Sequence, residues 1–379
     1  MTNEPVVEGE AQETGMPTPE PAGIEVRRLM NELLGVEAHR REETVREERF
    51  RSLALAELLI AESGRFEESS PAKVEELAGL ATRIADMPYP GHLMPRADRI
   101  LVRSYSLQGN ARRMSGDRGG AEAHFEKAAM VLLGPAGAAE RGFYCQRLAY
   151  LREEQGHVDE AVALLWRAVD RFRQVRDADA QGACLCRLAF LALRENDLEG
   201  ASRLFAEGRG LLSSARTPVL AARCGLGLAL CLAARGQEER ALRLRQESRL
   251  PGDVVPDPRN LLELDWLEGR LAVVLDEHQE AVGRLNSVRR RLFVQRRLLD
   301  AGLCSLDLAR VFLALDQEPR IGELIGDLNR IFPVSFERVR IAVALEDYRK
   351  AARARTDLEK AARESTDLMR RTMAILKKL

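Results

Sequence analysis

The stretch CQRLAYLREEQGHVDEAVALLWRA, residues 145–168, decides how the whole chain is read. Leu148 and Ala149 belong to one apolar-periodic segment, Gly156 interrupts the pattern, and Ala161, Leu165 and Ala168 belong to a second. The same marks return at forty-residue steps in both directions. One column reads Ala121, Ala161, Ala201, Ala241, Ala281 and then Ile321; another reads Gly109, Ala149, Ala189, Ala229, Gly269 and Ala309. Between them run Gly116, Gly156, Asn196, Gly236, Asp276 and Asp316. A fixed period of this length is the signature of a repeat array. The last column holds only Gly, Asn and Asp, the residues that best tolerate a left-handed backbone, so each marks the turn of a helical hairpin. Small residues let two helices approach, and Phe125, Leu165, Phe205, Leu285 and Ile325 fill the space beside the crossing.

Leu148-Ala149, Gly156, Ala161, Leu165 and Ala168, like Gly109, Gly116, Ala121, Phe125 and Ala128, fall at the spacing of the tetratricopeptide repeat (TPR), which the chain resembles. The longer unit is similar to the TPR arrays of bacterial peptide-sensing regulators and of the sensor arms of large transcription activators. The resemblance covers roughly residues 95–335. It implies an all-α, right-handed superhelical α-solenoid of TPR-like hairpins with terminal capping helices. Gln108 and Glu268 stand where the repeat has Leu, Arg245 replaces the large apolar residue, and Ile321 replaces Ala. The fourth and sixth units are therefore expected to be the least regular.

Four regions follow. Residues 1–23 are acidic and Pro-rich and are expected to be disordered. Residues 24–90 are expected to hold N-terminal helices and a degenerate capping hairpin. The pattern is helical from Ile24 to Glu62 with a break near Gly35, and Glu37 to Arg51 reads as a solvated helix with internal ion pairs. Residues 95–335 hold six repeats, with a Pro-rich connector, Pro251 to Pro258, that cannot be helical and where the array is expected to bend or loosen. Residues 336–379 are expected to form C-terminal capping helices.

A formal net charge of −1 provides no global field for nucleic acid or an anionic membrane, and no segment reaches the length of a membrane-spanning helix. All but six of the 58 basic residues are arginine, which suits carboxylate recognition as well as reflecting base composition. Six cysteines without framework spacing, and no secretory signal at the start, predict a reduced, cytoplasmic protein. The five histidines are scattered, Gly225-Leu-Gly227 lacks the preceding strand of a dinucleotide fingerprint, and no phosphate-binding loop is present. No catalytic, metal or cofactor-binding constellation emerges, so the expectation is a non-enzyme without cofactors.

The resemblance implies that the first helix of each unit lines a concave groove, with the residue after the small position pointing into it. Asn110, Tyr150, Phe190, Leu230, Arg270 and Arg310 form that column; Ser106, Gln146, Cys186, Leu226, Trp266 and Leu306 precede it by four residues; Arg103, Phe143, Ala183, Arg223, Glu263 and Leu303 precede those by three. These spacings place them on one stripe of each helix. Asn110, Arg147 and Arg187 resemble in part the two-carboxylate clamp of co-chaperone TPR domains, although Ser106 and Ala183 stand where that clamp has Lys and Arg147 where it has Asn. With Arg147 and Arg187 added, the candidate partner-binding residues are Arg103, Asn110, Arg147, Tyr150, Arg187, Phe190, Arg223, Trp266, Arg270 and Arg310. The expected function is a non-catalytic scaffold or adaptor that holds a peptide, helix or domain of a partner protein. That partner would be acidic with apolar anchors, and the chain's own acidic start is a candidate competitor. The alternative is a ligand- or peptide-responsive regulator of a bacterial effector, a transcription factor or protease. Residues 24–62 make no convincing helix-turn-helix, which argues against direct DNA binding.

Overall fold

A computed structural model describes residues 21–331, apart from Glu68, Pro135, Ala136, Asn196 and Arg296, together with residues 345–354. The expectations for residues 1–20, for Asn196 and for most of 336–379 lie outside these residues. The chain divides into two compact units, Met1–Glu140 and Arg141–Leu379. Among the described residues every regular element is helical.

The first unit contains α1 (Pro21–Gly35), α2 (Ala38–Thr44), α3 (Leu53–Arg65), α4 (Pro71–Ala85), α5 (Met94–Met114) and α6 (Arg118–Val131). Three starts are capped by oxygen-bearing side chains: Ser52 accepts from the Leu55 amide, Ser70 from Lys73 with Pro71 following, and Asp117 from Gly120. Each of α3, α4 and α5 packs on its successor. The charged stretch Glu37 to Arg51 differs from expectation. It is not one helix: α2 stops at Thr44, and a short 3-10 turn follows at Glu48–Phe50. Val45 and Phe50 are fully buried, so the stretch is not a wholly solvated face. Several of its ion pairs reach other elements rather than the next turn: Arg41 to Glu76, Arg83 to Glu42 at 2.7 Å, and Arg49 to Glu32.

The second unit follows α7 (Ala138–Glu154), which straddles the division, with α8 (Val158–Gln174), α9 (Ala178–Arg194), α10 (Leu198–Leu211), α11 (Pro218–Ala234), α12 (Glu238–Glu247), α13 (Pro258–Val274), α14 (His278–Val294), α15 (Leu298–Ala314) and α16 (Glu318–Ile331). The small columns are the hairpin crossings. Ala121, Ala161, Ala201, Ala241, Ala281 and Ile321 are fully buried. A Cβ placed on Gly109 would meet the Phe125 ring at 3.0 Å, and one on Gly269 would meet Leu285 at 2.8 Å, so the small residue makes room for the large one sixteen positions on. The turn column is left-handed as read: φ is 83° at Gly116, 84° at Gly156, 73° at Gly236, 57° at Asp276 and 55° at Asp316. Arg176, between α8 and α9, adopts φ 57° as well, which the columns did not announce.

At the Pro-rich connector the stacking changes partner. Elsewhere in this unit a second helix packs on the next first helix, as α8 on α9, α10 on α11 and α14 on α15. Here α13 packs on α11, the first helix of the preceding hairpin, through Leu264, Leu267 and Leu271 against Ala222, Leu226 and Ala229. The apolar core stays continuous, so the array does not loosen there. At the far end Leu345 and Ala352 are buried in one cluster with Leu285, Leu308 and Ile321, while Arg349 and Arg353 both reach Glu318.

Candidate partner-binding site

Side chains 34 to 41 residues apart meet because neighbouring hairpins lie side by side. Along the first helices of the second unit this register produces a continuous polar and aromatic ladder. On α7 the Arg147 guanidinium stacks 3.3 Å from the centre of the Phe143 ring and donates to Gln146 Oε1 at 3.0 Å. Arg187 on α9 lies 5.5 Å from the Tyr150 ring centre and pairs with Glu153 at 2.6 Å; Arg194 takes the other Glu153 oxygen at 2.8 Å. Phe190 meets Phe205 edge to face at 4.9 Å, and Arg223 on α11 lies 5.7 Å from its centre. Arg223 pairs with Glu263 on α13 at 2.6 Å, while Arg259 lies 3.7 Å from the other Glu263 oxygen. Trp266 Nε1 donates to Asp307 on α15 at 3.0 Å, and Arg270 Nε lies 3.7 Å from the same oxygen. Arg310 is exposed on α15.

Of the ten residues expected from the sequence, eight therefore belong to the second unit, and seven of these stand in this ladder of α7, α9, α11 and α13. Arg103 and Asn110 belong to the first unit, on α5. Arg103 donates to the buried Glu140 at 3.2 Å. Asn110 is only 3 % exposed, donates to Glu67 at 2.9 Å and accepts from Arg113 at 2.9 Å, so its amide is engaged inside the fold.

Two features depart from the simple picture of anchors waiting for a partner. The aromatic faces of Phe143, Tyr150 and Phe190 carry guanidiniums, so these rings orient arginines. The arginines already hold carboxylates of their own chain: Glu263 stood in the stripe without being counted as a candidate, Glu153 and Asp307 were not singled out from the sequence, and each lies about one repeat from a partner. The pairing holds both charges. Burial works against the Arg187 charge, but Glu153 and Glu263 raise its pKa overall. Burial likewise opposes ionisation of Glu263, and Arg223, Arg259, Arg187 and Arg297 more than offset it, so its pKa is lowered. Two carboxylates each face a pair of arginines: Glu153 faces Arg187 and Arg194, and Glu263 faces Arg223 and Arg259.

Among the described residues no group of three or more His, Cys, Asp or Glu is arranged to hold a metal ion. All six cysteines are free thiols and five are buried; burial lifts Cys231 to about 11, which keeps it a protonated, weakly nucleophilic core residue. No described helix is long and apolar enough to cross a membrane.

No family model and no curated protein matches the chain. Among solved structures, a Rap protein complexed with Competence and Sporulation Factor superposes with a TM-score of 0.55 at 11 % identity, over 86 % of this chain and 87 % of that one. This chain is an α-solenoid of TPR-like helical hairpins. BtubC (BKLC) from P. vanneervenii is similar at a TM-score of 0.42 and 18 % identity, over 62 % of this chain and 90 % of that one. Yeast Tom70 is similar at 0.38 and 14 %, over 92 % and 86 %. At these identities the likeness concerns the fold of the solenoid and not its occupant.

Proposed function

We propose that this TPR-like solenoid is a non-catalytic adaptor that binds an acidic segment of a partner protein along the first-helix stripe of the second unit. The observation that carries the reading is the ratio of guanidinium to carboxylate there: pairs of arginines share single carboxylates, and aromatic rings hold the guanidiniums in place. Half-buried arginines are screened less than fully solvated ones, and their planar forks match a carboxylate in shape. An incoming acidic segment meets oriented cations whose ordering is already complete, which favours binding. Arg270 and the exposed Arg310 extend the stripe onto α13 and α15. The Rap structure is itself a complex with a factor, which fits an array of this kind holding an occupant.

The test is affinity capture from the native cell with wild-type and Arg270→Glu/Arg310→Glu baits, read by mass spectrometry. Proteins captured by the wild type and lost by the double variant support the reading. An unchanged set of captured proteins contradicts it and moves attention to the terminal helices.

A further inference from the structure

Glu263 occupies the position that Arg223 holds one repeat earlier, so the stripe carries an acid where the preceding repeat carries a cation. Its side chain is 18 % exposed, so it keeps some contact with solvent. It holds its arginines incompletely. Arg223 meets one oxygen at 2.6 Å, while Arg259 stands 3.7 Å from the other, beyond hydrogen-bonding distance. Arg297, at the start of α15, donates through Nε to Asp300 at 2.8 Å, yet its Nη1 is enclosed with no hydrogen-bond partner among the described residues. Arg187 adds a fourth positive charge felt by Glu263. With Arg194 included, five arginines here share Glu153, Glu263 and Asp300. A cluster of this kind retains donors for another anion, but it has one carboxylate in the way.

We propose that Arg187, Arg223, Arg259 and Arg297 form the carboxylate-recognition point of the stripe, and that Glu263 is its built-in competitor, displaced when an acidic peptide side chain enters. This rests on the stripe being the binding surface. Displacement swaps one carboxylate for another at Arg223. It also brings Arg259 and Arg297 into hydrogen bonds that the resting state lacks, so an exchange that is nearly neutral at one arginine becomes favourable at the cluster. Glu263 would then set a threshold: weakly acidic segments fail to displace it, and segments with several carboxylates succeed.

The experiment titrates the full chain with a fluorescent oligoglutamate peptide by anisotropy at low salt, with circular dichroism to verify folding. Glu263→Gln removes the competitor and is expected to bind about three- to tenfold more tightly than the wild type, the range set by one partly exposed ion pair. Glu263→Asp keeps the charge and is expected to stay close to wild type. Arg259→Gln and Arg297→Gln are each expected to weaken binding several-fold. Oligoglutamate affinity that is unchanged or lower in a folded Glu263→Gln, or no binding by either protein, overturns the proposal. Should Glu263→Gln not fold, unchanged affinity in both arginine variants overturns it instead. A parallel titration with inorganic phosphate separates the sources of negative charge: tighter binding of phosphate than of oligoglutamate overturns the carboxylate assignment. A null result at Glu263 alongside lost capture by Arg270→Glu/Arg310→Glu would remove this inference and leave the binding surface standing.

Discussion

Arg245 Nε lies 2.7 Å from Glu268 Oε2, joining α12 to α13 at two positions where the repeat calls for apolar residues. One repeat earlier the same two positions are Phe205 and Leu228, which meet in a single apolar cluster. The two departures from the pattern are thus one contact, rewritten from apolar to ionic. Arg245 also reaches Glu277 at 2.8 Å and Glu280 at 3.0 Å on the far hairpin. The side chains of Arg245 and Glu268 are 16 % and 18 % exposed, so the pair is largely desolvated. Breaking a desolvated pair from one side is costly, whereas replacing both members by apolar groups is often neutral or favourable. Arg245→Leu alone is expected to cost about 3–5 kcal/mol, and Arg245→Leu/Glu268→Leu to fall within about 1 kcal/mol of wild type or above it. Urea unfolding of the three proteins checks this. A double variant weaker than the single would show that Glu277 and Glu280, rather than Glu268, are what Arg245 serves.

The crossings give a second prediction within one helix. Ala161 is fully buried on α8, and Ala163, two residues on, is exposed. Ala161→Leu is expected to overpack the hairpin and cost about 1–3 kcal/mol, while Ala163→Leu changes stability by less than about 0.5 kcal/mol. Equal effects in thermal or urea melts would mean that the crossing does not run through the alanine column.

A third prediction concerns the turns. Arg176 holds φ 57° with a side chain that disfavours it, and Gly236 holds φ 73° without strain. Arg176→Gly is expected to stabilise by about 0.5–1 kcal/mol and Gly236→Ala to destabilise by about 1 kcal/mol. Melting temperatures moving in the same direction for both would contradict the left-handed assignment.

Much of the fold was legible because it rests on backbone demands that only a few residue types meet. A left-handed turn admits Gly, Asn or Asp, and a close crossing admits Ala or Gly, so both appear as columns. Arg176 escaped because a junction can impose the same geometry on a residue with no such preference. The site was legible only as a stripe. Which carboxylate meets which arginine depends on a lateral register that shifts between 34 and 41 residues, as Arg187 with Glu153 and Trp266 with Asp307 show. Opposite charges about one repeat apart were the available signal. The stretch Glu37 to Arg51 was misread because its many charges concealed two fully buried residues, Val45 and Phe50.

The ion pairs set a pH dependence. Burial raises Glu263 and its arginines lower it further; burial raises Glu76 and Lys73 and Arg41 lower it further, so both fold with pKa values below the ordinary 4.5. A carboxyl with a depressed folded pKa stabilises the fold at pH above its unfolded value, and that contribution is lost as pH falls through the folded one. The melting temperature is therefore expected to hold down to about pH 5 and to fall below it as protons are taken up. Glu263→Gln should flatten that fall, and a wild type that gains stability on acidification from pH 5 to pH 3 would contradict the pairing.

On the function proposed above, partner binding depends on the oriented arginines of the first-helix stripe. The most direct measurement is calorimetric titration of a captured partner's acidic segment into wild type, Arg187→Glu/Arg223→Glu and Arg167→Glu, each with its melting temperature. Arg167 is exposed on α8, a second helix away from the stripe. Arg187→Glu/Arg223→Glu is expected to lose at least about a hundredfold in affinity, as two largely buried charge pairs imply, and Arg167→Glu to bind as wild type does. Wild-type affinity in the folded double variant, or an equal loss in Arg167→Glu, would contradict it.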